Sequence, residues 1–242
     1  MQSQDIAIEI DGKPMPCYLS RPDGDERLSA VIVLQEIFGV NKEIRRVSDL
    51  VASAGHVALA PNYYYRTHPG LNEPYTPAGR EAGFAAARAV TKANLRRDIA
   101  AAIDWLNAQP FVALGKIATW GFCFGGTVAF VTATLPGLAC AVSFYGGSIA
   151  GPLPDGEPEA LVDAQDLRAP MLLAFGGQDE HIPPAAVARI SDALAAANKR
   201  FEIQTYPNAG HAFFRDSSEN LSAEEVADAW DRVQTFLERN LG

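Results

Sequence analysis

The chain alternates between short apolar runs and stretches in which apolar residues recur at helical spacing. The apolar runs predict the strands of a largely buried sheet, at residues 30–34, 57–60, 116–120, 139–144, 171–175 and 201–206. Helical spacing predicts helices at residues 41–55, 80–91, 94–106, 125–134, 183–197 and from 222 onward. Two more alternating runs, at residues 5–10 and 15–20, flank an Asp-Gly-Lys-Pro turn and predict an antiparallel hairpin.

Strands that alternate with helices predict a mostly parallel sheet of about eight strands, covered by helices on both faces in a three-layer α/β fold. The chain shows no internal repeat and no linker, so residues 1–242 are expected to form one domain. Two long segments without a period, residues 63–79 and 149–169, are predicted as loops. Ordered loops of this length are more often functional than idle.

Composition narrows the classes of function. The 242 residues carry a net charge of −9 and no basic run, which argues against a nucleic-acid partner. No apolar stretch reaches the length of a membrane span, and the first residues do not resemble a signal peptide, so we expect a cytoplasmic protein without a membrane partner. Cys17, Cys123 and Cys140 are scattered, which argues against a disulfide framework or a zinc site.

The run Gly121-Phe122-Cys123-Phe124-Gly125 separates a predicted strand from a predicted helix. This is the layout of a nucleophile elbow with cysteine in the place of serine. The helix N-terminus would stabilise a thiolate and any oxyanion that forms beside it. The alternative is a buried structural cysteine in a glycine-rich turn.

Three chemically suited residues follow three predicted strands. Cys123, Asp179 and His211 occur in the order nucleophile, acid and base, which is the order of the α/β-hydrolase fold. An imidazole would take the proton of the thiol, and a carboxylate would hold the imidazole in the correct tautomer. Glu180 and His181 are alternatives for the acid and the base, and Asp179 and His211 could instead serve only in turns.

A carboxylate and two backbone donors are expected near the same sulfur. Glu36 follows a buried apolar strand, so it either has a structural partner or exchanges a hydrogen bond with Cys123. Burial would raise its pKa. The backbone N–H groups of Ile37 and Phe124 are candidates for the oxyanion hole.

Five blocks of the sequence resemble, in order, those of the dienelactone hydrolase family. They are Gln35-Glu36-Ile37-Phe38-Gly39-Val40-Asn41, Gly121-Phe122-Cys123-Phe124-Gly125-Gly126, Tyr145-Gly146, Gly176-Gly177-Gln178-Asp179 and Ala209-Gly210-His211-Ala212-Phe213. The resemblance covers nearly the whole chain, and the first block together with a cysteine elbow is highly specific.

The resemblance implies an enzyme that opens dienelactone, a conjugated lactone bearing a carboxylate, to maleylacetate. Cys123 would attack the lactone carbonyl, Glu36 would help to activate the thiol, and His211 held by Asp179 would activate the hydrolytic water. Neither a metal nor a cofactor is implied.

The resemblance also implies a substrate site. Two arginines would bind the substrate carboxylate: Arg215 fits one position, and Arg80 is the candidate for the other, with Arg66 as the fallback. Tyr145 is expected to contact the substrate.

Two segments depart from the family pattern, the three tyrosines at 63–65 and the loop at 147–169. They concern the substrate and not the type of reaction, so a broad carboxylesterase or a hydrolase of another lactone is the first alternative. From other classes, a non-catalytic binder of a small carboxylate would lack a triad member, and a thiol-redox protein would need a resolving cysteine. The sequence does not decide between a monomer and a small homo-oligomer.

Overall fold

The computed structural model describes residues 1–216 and 223–242. The strands of the described chain are β1 (Gln2–Ile10), β2 (Lys13–Arg21), β3 (Leu28–Leu34), β4 (Val57–Pro61), β5 (Val112–Phe122), β6 (Cys140–Phe144), β7 (Met171–Gly176) and β8 (Phe201–Tyr206). The helices are α1 (Lys42–Ser53), α2 (Pro77–Arg88), α3 (Lys92–Asn107), α4 (Phe124–Thr132), α5 (Pro184–Ala196) and α6 (Ala223–Leu241), with a 3₁₀ segment at Ala160–Asp166.

The strands form one sheet in the order β1-β2-β4-β3-β5-β6-β7-β8. β1 pairs antiparallel with β2, and β2 pairs antiparallel with β4, whereas every later pairing is parallel. The predicted hairpin is present, since Asp11 and Gly12 both take positive φ angles and connect its two strands. This topology is that of the α/β-hydrolase fold, as predicted.

Alternate residues of the central strands enter different apolar clusters. Val31 of β3 shares one cluster with Val47 of α1 and Val233 of α6, whereas the next residue, Ile32, shares the other with Ile99 of α3. Because side chains alternate between the two faces of a strand, both faces of the sheet are buried. The three-layer arrangement follows.

Several element boundaries differ from those predicted. Asn41 caps α1 as expected, with its side-chain oxygen accepting hydrogen bonds from two backbone N–H groups. Asn94, in contrast, is not a cap: α3 begins earlier, and the hydroxyl of Thr91 accepts a hydrogen bond from the Asn94 N–H. Ser222, predicted to open the last helix, lies outside the described residues. The segment 149–169 is not wholly loop, because it contains the 3₁₀ segment.

The segment after β4 is held in place by buried tyrosine side chains. Tyr63 and Tyr64 are buried, and the Tyr63 hydroxyl donates a hydrogen bond of 2.6 Å to the Gln35 carbonyl. The same segment joins the loop after β3, since the Glu73 N–H donates to the Phe38 carbonyl at 2.8 Å. These contacts hold the two loops together at the carboxyl end of the sheet, where ligands of such folds bind.

No helix in the described part of the chain is both long and apolar enough to cross a membrane. The single-domain organisation and the cytoplasmic location stay predictions.

Candidate active site

The turn between β5 and α4 holds Cys123 in a strained backbone conformation, with φ 53° and ψ −117°. The glycines around it are required by close approach of the backbone. A Cβ atom on Gly121 would lie 1.9 Å from the Gly125 carbonyl oxygen, and one on Gly125 would lie 2.2 Å from the Leu34 carbonyl oxygen. The turn therefore has the geometry of a nucleophile elbow, with the cysteine at the N-terminus of a helix.

His211 lies between Cys123 and Asp179. Its Nε2 atom is 3.3 Å from the sulfur of Cys123, and its Nδ1 atom is 2.7 Å from Oδ2 of Asp179. The second oxygen of Asp179 accepts a hydrogen bond from the backbone N–H of His181 at 2.8 Å. A carboxylate, an imidazole and a thiol are thus linked in the order that nucleophilic catalysis requires.

The alternatives for the acid and the base take other positions. Glu180 is exposed and makes no hydrogen bond or ion pair in the described part of the chain. His181 is also exposed, and its ring packs edge-on against the ring of His211 with 5.1 Å between centroids. The structure therefore brings Asp179 and His211, and not their sequence neighbours, to the sulfur of Cys123.

Tyr145 forms the inner wall beside the imidazole. It follows β6 with φ 42°, a conformation that costs energy in a residue other than glycine. Its ring is 1% exposed and packs edge-on against His211, with 5.3 Å between centroids. The substrate contact of Tyr145 stays a prediction, and the structure places its ring against His211.

Glu36 has a partner that the sequence does not reveal. The carboxylate is 3% exposed and accepts a hydrogen bond of 2.7 Å from the hydroxyl of Tyr75. Among the described residues it forms no hydrogen bond with Cys123. Burial raises the pKa of Glu36, although the Tyr75 hydrogen bond and the charges of Arg215 and His211 lower it. Of the two expectations for Glu36, a separate partner is the one seen here.

Tyr75 is a residue of the site that sequence reasoning missed. It lies in the segment between β4 and α2, and its ring packs edge-on against Phe38 at 4.7 Å between centroids. The segment as a whole was predicted to be functional, but none of its residues carries a motif. Only the fold reveals which of its tyrosines reaches Glu36.

The two candidate oxyanion donors are unoccupied by the described residues. Neither Ile37 nor Phe124 uses its backbone N–H in a hydrogen bond there. The Ile37 backbone is fixed by α2, since a Cβ atom on Gly83 would lie 2.7 Å from the Ile37 carbonyl oxygen. The N–H of Phe124 belongs to the first residue of α4, where backbone donors lack partners within the helix.

The three candidate arginines are in different environments. The Arg215 guanidinium lies over the Tyr75 ring at 4.0 Å, and its Nε atom is buried without a hydrogen-bond partner. The Arg66 guanidinium is engaged in an ion pair with Asp98 at 2.9 Å. Arg80 is exposed on α2, and its side chain forms no ion pair in the described regions. The structure thus brings Arg215 to Glu36 and Tyr75, and does not bring Arg66 there.

The described part of the chain contains no cluster of side chains that could bind a metal ion. Within residues 1–216 and 223–242, no three His, Cys, Asp or Glu side chains are grouped so that they could hold a metal ion.

Comparison with known proteins identifies the family of the chain. The model of the dienelactone hydrolase family matches residues 15–241. The chain belongs to the dienelactone hydrolase family. That span includes the elbow, the histidine loop and the Glu36 loop.

Two relatives illustrate the similarity within this dienelactone hydrolase family. The "Putative carboxymethylenebutenolidase" of Synechocystis sp. is 36% identical, over 93% of this chain and 91% of the relative. The protein of the same name from Escherichia coli K12 is 35% identical, over 96% of this chain and 85% of the relative.

Solved structures support the fold. A "Putative Dienelactone Hydrolase" from Klebsiella pneumoniae superposes with a TM-score of 0.88 at 31% identity, covering 98% of each chain. A dienelactone hydrolase-like promiscuous phosphotriesterase from metagenomic libraries superposes with a TM-score of 0.80, covering 100% of this chain and 99% of the other. It is 22% identical, so the likeness concerns the fold alone.

The charge of His211 is set by its two neighbours. Burial lowers the pKa of the imidazole, but the hydrogen bonds to Asp179 and Cys123 outweigh it and raise the pKa from 6.5 to about 10. Burial raises the pKa of Asp179, but the contact with His211 outweighs it and leaves the pKa below its ordinary value. These contacts favour the imidazolium form of His211, the form that can stabilise a neighbouring anion.

This arrangement predicts a dependence of stability on pH. Because the pKa of His211 is higher in the folded protein, its contribution is complete below pH 6.5 and is lost as the pH rises through about 10. Between these values the wild type should lose more thermal stability than His211→Ala, which lacks the group. Tm measured across the interval checks this, and parallel curves for the two proteins would contradict it.

The bond between Tyr75 and Glu36 predicts a second effect on stability. Tyr75→Phe leaves a buried carboxylate without its donor, so the free energy of unfolding should fall by about 1–3 kcal/mol. Tyr206→Phe is the matched control, because Tyr206 donates to Asp228 at 2.9 Å and that carboxylate is 46% exposed. Urea denaturation of both variants gives the comparison, and similar small losses in the two would contradict a special role of the buried bond.

Proposed function

We propose that this protein hydrolyses a lactone or a small carboxylic ester through a thioester of Cys123, with dienelactone as the leading substrate. The observation that carries the proposal is the continuous link from Cys123 through His211 to Asp179, with contacts of 3.3 and 2.7 Å. Membership of the dienelactone hydrolase family supports the reaction type. Names of relatives that refer to carboxymethylenebutenolidase support the choice of substrate.

In the first half of the reaction the Cys123 thiolate attacks the carbonyl carbon. The carbonyl oxygen becomes an oxyanion, which the N–H groups of Ile37 and Phe124 stabilise. When the tetrahedral intermediate collapses, the ring C–O bond breaks and the leaving oxygen takes a proton from the His211 imidazolium, which leaves the imidazole neutral. The product of this half is a thioester that still carries the opened chain.

In the second half a water molecule replaces the sulfur. Neutral His211 removes a proton from the water as the water oxygen attacks the thioester carbon. The C–S bond then breaks, and the thiolate of Cys123 is restored beside the imidazolium. Asp179 holds the imidazole ring throughout, since it engages the Nδ1 side and leaves Nε2 for the sulfur and the water.

Arg215 supports a substrate that carries a carboxylate. Its guanidinium has five N–H donors, and none of them donates to the described residues. Arg215 lies near Glu36, because both residues line one small cavity. A planar guanidinium suits a carboxylate well. Arg80 stays a candidate for a second contact, since it is exposed on the helix that overlies Ile37.

Glu36 is proposed to assist thiol activation once substrate is bound. In this structure it is bonded to Tyr75 instead of the thiol, so assistance requires a side-chain rotation or a change in its protonation. Burial favours the neutral acid, which can donate a hydrogen bond as well as accept one.

The decisive assay compares cis- and trans-dienelactone with p-nitrophenyl acetate. We expect fast turnover of dienelactone and weak ester activity. Cys123→Ala should abolish both, and His211→Ala should lower kcat roughly a hundredfold or more. Good ester turnover without dienelactone turnover would favour a broad carboxylesterase. Near wild-type rates in either variant would contradict the mechanism.

Arg215→Ala tests the carboxylate contact. Loss of a charge-assisted, desolvated contact should raise KM for dienelactone by roughly tenfold or more, with a much smaller effect on p-nitrophenyl acetate. Steady-state kinetics on both substrates measures the difference. Equal losses on the charged and the neutral substrate would contradict a role in carboxylate binding.

A further inference from the structure

An ion pair on α1 forms hydrogen bonds with the backbone on both sides of Arg215. Arg46 donates to Glu43 through Nη2 at 2.6 Å and through Nε at 3.1 Å. The Arg46 Nη2 atom also lies 3.4 Å from the carbonyl oxygen of Phe214. The same Glu43 oxygen that binds Nη2 accepts a hydrogen bond of 3.1 Å from the N–H of Asp216. We call Glu43 and Arg46 the α1 clasp.

Arg215 depends on such support because its own side chain lacks a fixing bond. The guanidinium makes no hydrogen bond or ion pair within the described residues, so its direction follows from its backbone and from stacking on Tyr75. The backbone is tightly bent there: Ala212 has φ 57°, and the Arg215 N–H donates to the Ala212 carbonyl at 3.0 Å. A shift of this bend would swing the guanidinium.

The space behind Arg215 is closed. A cavity of about 10 Å³ lies between Arg215, Glu36, Glu43 and Tyr145. This is room for at most one water molecule. Arg215 therefore has no room to move toward Glu43 on this side.

The clasp is itself anchored to the loop that carries the proposed oxyanion donor. The Asn41 side chain accepts hydrogen bonds from the N–H groups of Glu43 at 3.1 Å and Ile44 at 3.2 Å. Asn41 ends the loop that begins with Glu36 and Ile37. The clasp thus sets the distance between that loop and the segment that carries His211 and Arg215.

We propose that Glu43 and Arg46 are positioning residues for Arg215 and so determine specificity for substrates that bear a carboxylate. This inference rests on the proposed function, in which Arg215 binds that carboxylate. Binding groups must be held closely in place, because a displacement of about 1 Å can cost two orders of magnitude in rate. The pair also bonds to the backbone of Phe214 and Asp216, so its loss would act on the position of Arg215.

The chain offers a closely matched control for the clasp. Arg45 is the neighbour of Arg46 on α1, and the two side chains are 36% and 37% exposed. Arg45 pairs with Asp5 of β1 at 2.7 Å, and the Asp5 side chain is 69% exposed whereas that of Glu43 is 12% exposed. Arg45→Ala removes a charge and an ion pair from the same helix and leaves the bonds between Arg46 and Glu43 in place.

The experiment compares Arg46→Ala and Glu43→Gln with Arg45→Ala on two esters of one leaving group. The p-nitrophenyl monoester of succinate carries a carboxylate, and p-nitrophenyl butyrate is its neutral counterpart. Each clasp variant should raise KM for the succinate ester by roughly tenfold and raise KM for the butyrate ester far less. Arg45→Ala should change neither. Arg46→Lys keeps the charge but loses the bidentate bond to Glu43. Its KM for the succinate ester should therefore lie between those of the wild type and Arg46→Ala.

A double variant separates positioning from a general loss of structure. If the clasp acts through Arg215, adding Arg46→Ala to Arg215→Ala should cause no further loss on the succinate ester. Additive losses, or equal rises of KM on the two esters, would overturn the inference.

The outcome for Arg215→Ala distinguishes failure of this inference from failure of the proposed function. If Arg215→Ala discriminates between the esters but the clasp variants do not, the inference fails and the proposed carboxylate site stands. If Arg215→Ala does not discriminate, both fail. Tm values that stay near wild type identify the variants for which the kinetics can be compared.

Discussion

The close approach of the backbone at residues 121–126 is the constraint on which the whole site depends. A Cβ atom on Gly126 would lie 2.5 Å from the Phe144 carbonyl oxygen, just as one on Gly125 would collide with the end of β3. The start of α4 is therefore held between β3 and β6, the two strands that flank β5 in the sheet. Cys123 is placed where the loops from both strands meet, with Glu36 on one side and Tyr145 on the other. A side chain larger than hydrogen at either glycine would separate these loops.

Charge and burial act in opposite directions on the groups around the sulfur. For His211 the hydrogen bonds outweigh burial, and the imidazole is held in its charged form. For Glu36 burial outweighs the hydrogen bond from Tyr75 and the charge of Arg215, and the neutral form gains. An anion that neutralises Arg215 would remove one of the influences that favour ionised Glu36. The protonation of Glu36 is thereby coupled to the occupancy of the site.

The sequence predicted those parts of the site that depend on strand ends and failed on those that depend on contacts between loops. Cys123, Asp179 and His211 each follow a parallel strand, and such strand ends converge at one edge of the sheet. Tyr75 follows no strand and belongs to no motif, so only the folded chain reveals its contact with Glu36. Thr91 precedes Asn94 by three residues, and both are good N-caps, so composition alone did not decide between them. The predicted substrate contact of Arg80 depends on the direction in which α2 presents an exposed residue, and no sequence motif encodes that direction.

Tyr75 contacts both Glu36 and Arg215, and this has an evolutionary consequence. Its hydroxyl binds Glu36 and its ring supports Arg215, yet it belongs to a segment that connects β4 with α2 and contributes no strand to the sheet. Connecting segments accept substitutions and insertions more readily than strands do. Changes in this one connection can therefore alter the surroundings of Glu36 and Arg215 together, while the elbow, His211 and Asp179 stay as they are. Divergence of substrate preference among enzymes built on this frame should then leave its traces between residues 62 and 76 before it reaches the catalytic loops.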